Sequence, residues 1–350
     1  MKNIWYKIFR SYVTIGLFFT LKKIRVFGKE NIPKKGAVLF IGNHQNALLD
    51  AILIPTTTSR ITHFLTRASA FKSKIAAVLL RSLNMIPVYR IRDGAKTIQK
   101  NIPTFEKCFD ILKNGRAIVV FAEGEHHLDR RIIPLKKGFA RIILGTLQKY
   151  PDTTIYIVPI GINYDSPLNY PSSTSIYYGE PICANQFFDL ENPDYRFSEI
   201  IERVSSALKN LTLHVDNQIN YDEIIRKLEA NDVDYLNPFE ANEMLKNIDK
   251  LPSKSSEKKR QLNWLTPIHF IAKINSMLPL IIWRYLKPTI KEIIFLNTFR
   301  FAVITTLFPL FYLIQTGIVY AVFNLKYAII YLVSCIVLGI ISTKTMIVSQ

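Results

Sequence analysis

Hydrophobic and polar positions change their spacing along the chain, and the changes divide it into a middle part and two distinctive ends. In the middle, short runs rich in β-branched residues (37–41, 61–65, 85–89, 117–121 and 153–160) take turns with stretches of helical period (73–83, 96–113 and 135–149). Strand and helix in alternation predict an α/β domain whose central mixed, mostly parallel sheet is flanked by helices on its faces. Asn114 and Gly115 are placed to stop one of these helices, because glycine accepts the left-handed conformation that ends a helix. Further helices are expected at 197–211 and 221–230.

Toward the C-terminus, the 23 residues 301–323 carry no charge, nor do the 17 residues 327–343, and only Asn324, Leu325 and Lys326 separate them. About 20 apolar residues rising ~1.5 Å each cross a hydrocarbon layer of about 30 Å, so a transmembrane helical hairpin is predicted. The preceding segment alternates apolar stretches with Lys273, Arg284, Lys287 and Lys291 and is broken by Pro267, Pro279 and Pro288. That is the pattern of short interfacial helices whose cations reach lipid headgroups. The N-terminus, with Trp5, Phe9 and Tyr12 beside Lys2, Lys7 and Arg10, has the same character. The expected organisation is an interfacial helix (1–29), the α/β domain (30–250), a linker (251–263), an interfacial amphipathic segment (264–300) and the hairpin (301–343). The Lys and Arg in front of the hairpin place the α/β domain of this integral membrane protein on the cytosolic side.

Charge sharpens this picture. The 350 residues hold 45 Lys and Arg against 27 Asp and Glu, a net +18. Residues 180–250 reverse the sign, with 7 basic against 15 acidic side chains, so the positive charge gathers beside the apolar ends. A basic surface suits nucleic acid, anionic membranes and phosphorylated substrates alike. No zinc-finger or RNP-type signature is present, so membrane lipids are the expected partner and nucleic acid is not. Cys108, Cys183 and Cys335 lie far apart without metal-ligand spacing, which argues against a disulfide framework.

The first candidate for chemistry is Gly42-Asn43-His44-Gln45-Asn46-Ala47-Leu48-Leu49-Asp50, directly after the apolar run ending at Ile41. Six positions on a helix rotate by about 600°, which would put His44 and Asp50 on different faces, so His44 must precede the helix. With Asn46 as N-cap the helix begins at Ala47 and Asp50 sits one turn in. From there the carboxylate can hold one ring nitrogen of His44 and leave the other as a base. Three more strand ends carry polar, Gly or Pro residues: Pro87-Val88-Tyr89-Arg90-Ile91-Arg92, Phe121-Ala122-Glu123-Gly124-Glu125-His126-His127 and Val158-Pro159-Ile160-Gly161. In open α/β sheets such ends share one ligand-binding edge. Glu123, Glu125, His126, His127 and Asp129 are not read as a metal site, because neighbours along a strand point to opposite faces. Cys108 and Cys183 are expected to be structural.

This set of motifs, in this order, resembles the glycerolipid acyltransferase superfamily, which includes glycerol-3-phosphate and lysophosphatidate acyltransferases. The similarity covers roughly residues 30–215. Its first signature corresponds to Asn43, His44 and Asp50, with five residues enclosed, one more than is usual. That spacing looks like a subgroup related to yeast-type glycerol-3-phosphate acyltransferases, whose members often carry a hydrophobic C-terminal segment. The other signatures correspond to Ile86-Pro87-Val88-Tyr89-Arg90, Phe121-Ala122-Glu123-Gly124 and Val158-Pro159. Ala122 stands where proline is usual, and Glu125-His126-His127 replaces the commoner continuation. The resemblance implies a glycerol-3-phosphate acyltransferase-like fold and transfer of a fatty acyl group from acyl-CoA or acyl-carrier protein, with no further cofactor. The acceptor implied is a hydroxyl of glycerol-3-phosphate or 1-acylglycerol-3-phosphate, in phospholipid biosynthesis. It makes His44 and Asp50 the base pair and assigns the acceptor phosphate to Arg90, with Arg92, Arg130 and Lys136 as further candidates. Glu123 and Gly124 would hold the acceptor, with Pro159 at the fourth signature. A catalytically silent, membrane-anchored lipid-binding protein and an acyltransferase for another lipid acceptor are the alternatives.

Overall fold

The computed structural model describes residues 2–89, 99–187, 193–216, 218–252 and 263–347. Arg90, Arg92 and most of the expected linker therefore lie outside the described residues. Eight strands make one sheet: β1 (Leu21–Phe27), β2 (Ala37–Gly42), β3 (Thr62–Arg67), β4 (Met85–Val88), β5 (Ala117–Val120), β6 (Ile155–Tyr164), β7 (Ser172–Tyr178) and β8 (Ile182–Cys183). Their order is β1-β7-β6-β2-β5-β3-β4, with β8 also on β6. The pairs β1/β7, β6/β2, β2/β5, β5/β3 and β3/β4 are parallel, and β6 meets β7 and β8 antiparallel. The sheet is thus mixed and mostly parallel.

The helices are α1 (Lys2–Thr20), α2 (Ala47–Thr57), α3 (Lys74–Ser82), α4 (Ile102–Lys113), α5 (Gly138–Lys149), α6 (Pro193–Leu211), α7 (Tyr221–Ala230), α8 (Pro238–Lys246), α9 (Thr266–Asn275), α10 (Met277–Leu286), α11 (Leu296–Val322) and α12 (Leu325–Thr345). One face of the sheet is covered by α4, α5 and α6, where Leu112, Phe139 and Val204 meet Ile118 and Ile157. The other is covered by α1 and α2, where Leu17, Leu49 and Leu53 meet Phe40, Val119 and Ile160, and Phe301 of α11 joins them. Every residue of β2 is buried, which is why its sequence is an unbroken apolar run.

Several elements depart from the expected outline, among them the short strand β8 and helix α8, which were not expected. Residues 21–27, assigned above to the N-terminal interfacial part, form edge strand β1, so that part ends at Thr20. Leu21, Ile24 and Val26 join the core while Lys22, Lys23 and Arg25 interrupt the run, and such charges are what guard an edge strand. Strand β7 was not expected, because its buried first half is Ser172-Ser173-Thr174-Ser175 and has no apolar signal. The apolar helix α11 begins at Leu296, before the uncharged run, so Asn297, Thr298 and Arg300 belong to its start.

Both C-terminal helices are long and apolar enough to cross a membrane, and only 6% and 11% of their apolar windows are buried. Helix α1 lies between the sheet and this pair. Gly16 lets it approach α11 closely, since a Cβ there would sit 2.4 Å from Thr305 Cγ2, and Tyr12 Oη–H donates to the Thr305 carbonyl (2.7 Å). At its end Lys344 Nζ donates to the carbonyls of Phe18 (2.6 Å) and Leu21 (2.7 Å), and Thr343 Oγ1 to that of Phe19 (3.0 Å). The outer flank of α1, with Ile4, Trp5, Ile8 and Ile15, stays exposed.

Candidate active site

The parallel strands β2, β3, β4, β5 and β6 end at one edge of the sheet, and the loop 43–46 leaves β2 there. Each polar residue of the loop has a distinct partner. The Asn43 amide donates to the Ile162 carbonyl (2.9 Å) and accepts from the Ile162 N–H (2.8 Å), so its side chain pairs with β6 as a strand residue would. Gln45 Nε2 donates to the Asp129 carbonyl (3.0 Å) and Asn46 Nδ2 to the Pro167 carbonyl (3.1 Å). Helix α2 begins at Ala47 as expected, but Asn46 makes no side-chain cap; instead Asp50 reaches back and accepts from the Asn46 backbone N–H (2.6 Å). The turn is tight enough to hold Ala47 at φ +37°, a region L-residues other than glycine rarely enter.

His44 and Asp50 meet. A carboxylate can only accept, so Nδ1–H of His44 donates to Asp50 Oδ2 (2.9 Å) and Nε2 is the nitrogen left over. Asp50 is fully buried and His44 is 13% exposed. Tyr164, at the end of β6, donates its Oη–H to Asp50 Oδ1 (2.8 Å), so both carboxylate oxygens are engaged. Burial, together with the Asp50 charge, holds the Tyr164 phenol well above its usual range, which keeps it a donor. The imidazole stacks on Phe121 with ring centres 4.0 Å apart and planes 10° off parallel. Gly42 leaves that ring its room, because a Cβ there would come within 3.3 Å of it.

A second imidazole and carboxylate lie next to the first. Glu123, fully buried, accepts at Oε2 from His127 Nε2–H (2.6 Å), and its Oε1 is buried with no partner among the described residues. The backbone N–H of His127 donates to the His44 carbonyl (3.3 Å), and the His126 ring meets that of His44 edge-on at 5.0 Å. Gly124 turns at φ +75°, and the stem of exposed Lys136 runs alongside, 3.2 Å from where a Cβ would stand.

The remaining candidates divide. Arg130 is a correction to the expected phosphate role: its guanidinium donates to the carbonyls of Tyr164 and Asp165 (3.0 Å each) and lies 3.3 Å over Tyr235, tying the loop to the end of β6. Pro159 is buried in the middle of β6, level with Ile41 and one register short of the end of β2. Its carbonyl accepts from Gly179 N–H (2.8 Å) between the stretches where β7 and β8 pair, a place where a strand tolerates a missing N–H. Cys108 sits in the core with its thiol pushed up to about 12 by burial. Tyr164 was not foreseen; the signal was an apolar strand continuing past Pro159 and ending in a phenol. Phe121 and His127 were in view within their motif without a role assigned.

The model of the family described as Acyltransferase matches residues 23–163, which contain both imidazole–carboxylate pairs. Over that segment the chain is similar to the acyltransferase family. Among curated relatives, glycerol-3-phosphate O-acyltransferase 1 of Saccharomyces cerevisiae is 29% identical over 114 residues, 31% of this chain and 15% of that protein. Glycerol-3-phosphate O-acyltransferase 2 of the same yeast is 26% identical over 44% of this chain and 20% of its own length, so the chain spans only a small part of either yeast protein. The 1-acyl-sn-glycerol-3-phosphate acyltransferase of Borreliella burgdorferi is 28% identical over 63% of this chain and 78% of that protein. The crystal structure of the 1-acyl-sn-glycerophosphate acyltransferase of Thermotoga maritima is similar with a TM-score of 0.43 and 21% identity, covering 59% of this chain and 81% of that one. The similarity to the family lies in the segment that carries both pairs.

Proposed function

We propose that the protein moves a fatty acyl group from acyl-CoA or acyl-carrier protein to a hydroxyl of glycerol-3-phosphate or 1-acylglycerol-3-phosphate, at a membrane and from its cytosolic side. The observation that carries this reading is the His44–Asp50 contact, with both oxygens of Asp50 engaged and Nε2 of His44 left over. In the reaction Nε2 takes the proton of the acceptor hydroxyl as its oxygen attacks the thioester carbonyl. A C–O bond forms, the C–S bond breaks, and the imidazolium returns the proton to the departing thiolate. General base catalysis of this kind contributes roughly 10² to 10⁴ in rate. Glu123 Oε1 supplies a buried acceptor for a second glycerol hydroxyl, and Gly124 a close backbone approach. Lys136, with Arg90 and Arg92 outside the described residues, is assigned the phosphate, since cations are what an anionic acceptor requires. The long, exposed, apolar α11 and α12 supply the anchor.

The test uses the full chain in lipid nanodiscs with isotope-labelled acyl-CoA or acyl-carrier protein, and a panel of glycerol phosphates, lysophospholipids and other hydroxylated lipids, products resolved by mass. Ester formation on one glycerol phosphate, with thiol release, is expected, and His44→Ala should remove it while leaving the protein folded and inserted. Thiol release unaffected by His44→Ala would sink the mechanism, and absence of any product with every acceptor would favour a silent lipid binder.

A further inference from the structure

The start of α11 reaches into the loop that carries His44. Asn297, only 3% exposed, donates from Nδ2 to Asn46 Oδ1 (3.3 Å) and to the Pro167 carbonyl, and its Oδ1 accepts from Arg300. Asn46 itself donates to Pro167 and, through its backbone N–H, to the Asp50 oxygen that holds His44. Thr298 Oγ1 accepts from the Leu48 backbone N–H (3.4 Å). Phe295, just before the helix, meets the His126 ring edge-on at 5.3 Å, and His126 meets His44.

Other contacts dock the helix as well. Further along, Gly16 packs against Thr305 and Phe301, Tyr12 bonds the Thr305 carbonyl, and Arg300 donates to the carbonyls of Leu168 (3.2 Å) and Asn169 (3.4 Å). What the first turn adds is a grip on residues 46–48, the stretch that contains Ala47 in its strained conformation and through which Asp50 is held. Strain of that kind persists only where surrounding contacts fix the backbone.

We propose that Asn297 and Thr298 are positioning residues for the His44–Asp50 pair, so that the catalytic centre is complete only when the apolar helices are seated on the α/β domain. The same contacts put His44 level with the first turn of the apolar helix, at headgroup depth if that helix spans. The assignment rests on the acyl-transfer reading, and the experiment separates the two.

The full chain is placed in nanodiscs of phosphatidylcholine and phosphatidylglycerol as wild type, Asn297→Asp, Thr298→Val and Thr298→Ser. Asn297→Asp keeps shape and the Arg300 contact but replaces the donor aimed at Asn46; Thr298→Val loses the acceptor, and Thr298→Ser keeps it. A displacement of about 1 Å at a reacting group costs on the order of 10²-fold, so kcat should fall roughly 10- to 100-fold in the first two variants, with KM within about twofold. Amide hydrogen exchange of peptides covering residues 43–50 should rise in the same two, with peptides from β5 and α4 unchanged, and Thr298→Ser should restore both readouts. Wild-type kcat and exchange in Asn297→Asp and Thr298→Val would overturn the assignment, as would a uniform rise of exchange over the whole domain. If the wild type consumes no acyl thioester, the functional reading fails, and the exchange at 43–50 still decides the positioning role. If Asn297→Asp does not fold, the Thr298 pair decides alone.

Discussion

Two imidazole–carboxylate pairs stand side by side at the edge of the sheet, built from the same chemical parts; each leaves a ring nitrogen over, and the carboxylates differ. In His44–Asp50 the carboxylate is saturated, by the imidazole, the Asn46 N–H and the Tyr164 phenol, and a ring nitrogen is spare. In Glu123–His127 the carboxylate keeps Oε1 unengaged in a buried position. A carboxylate with both oxygens taken can only orient its histidine, whereas one with a spare oxygen can receive a hydroxyl from outside. On the proposed reading, the first pair serves as base and the second as binder.

Substitutions that exchange these valences break the comparison in graded steps. Asp50→Asn is expected to have the largest effect, lowering kcat by about 10³-fold, because an amide oriented to donate favours the wrong tautomer of His44. Single-turnover rates of thiol release measure this, and a loss under tenfold would make Asp50 a structural cap alone. Glu123→Gln keeps shape and volume and should raise KM for the glycerol acceptor by roughly tenfold while kcat falls less, read from acceptor saturation curves. An unchanged KM would remove Oε1 from acceptor binding. His127→Ala should raise the same KM a few-fold by releasing Glu123, and small changes in KM for the acyl donor in the same assay would distinguish this from general loosening. Tyr164→Phe is the mildest for turnover. It leaves Asp50 Oδ1 without its buried donor, which costs about 1–3 kcal/mol of stability by the usual penalty for an orphaned group, to be measured by denaturant titration in lipid.

Much of the edge was legible in the sequence because it rests on local spacing. The separation of His44 from Asp50 excludes a shared helix, and reading Asn46 as N-cap gives the right first residue, Ala47, although the Asn46 side chain makes no cap. What local spacing cannot convey is where the carboxylate's remaining valences go. Asp50 reaches Tyr164 across 114 positions of chain, and that contact exists only because β6 runs on beyond Pro159 beside β2. Two of the strands that went unrecognised share a physical cause. Strand β7 buries serine and threonine rather than aliphatic residues, and β1 mixes its core contacts with edge charges, so neither shows the alternation that marks a strand. Arg130 illustrates the converse: nothing in its neighbours distinguishes a guanidinium spent on backbone carbonyls from one waiting for phosphate.

The clasp between Lys344 and the carbonyls of Phe18 and Leu21 joins positions more than 320 residues apart, so α1, packed on the sheet through Val13 and Leu17, gains these contacts at its end only when α12 is in place. Pairing so remote in sequence is slow to close, so this end of α1 is the part secured late.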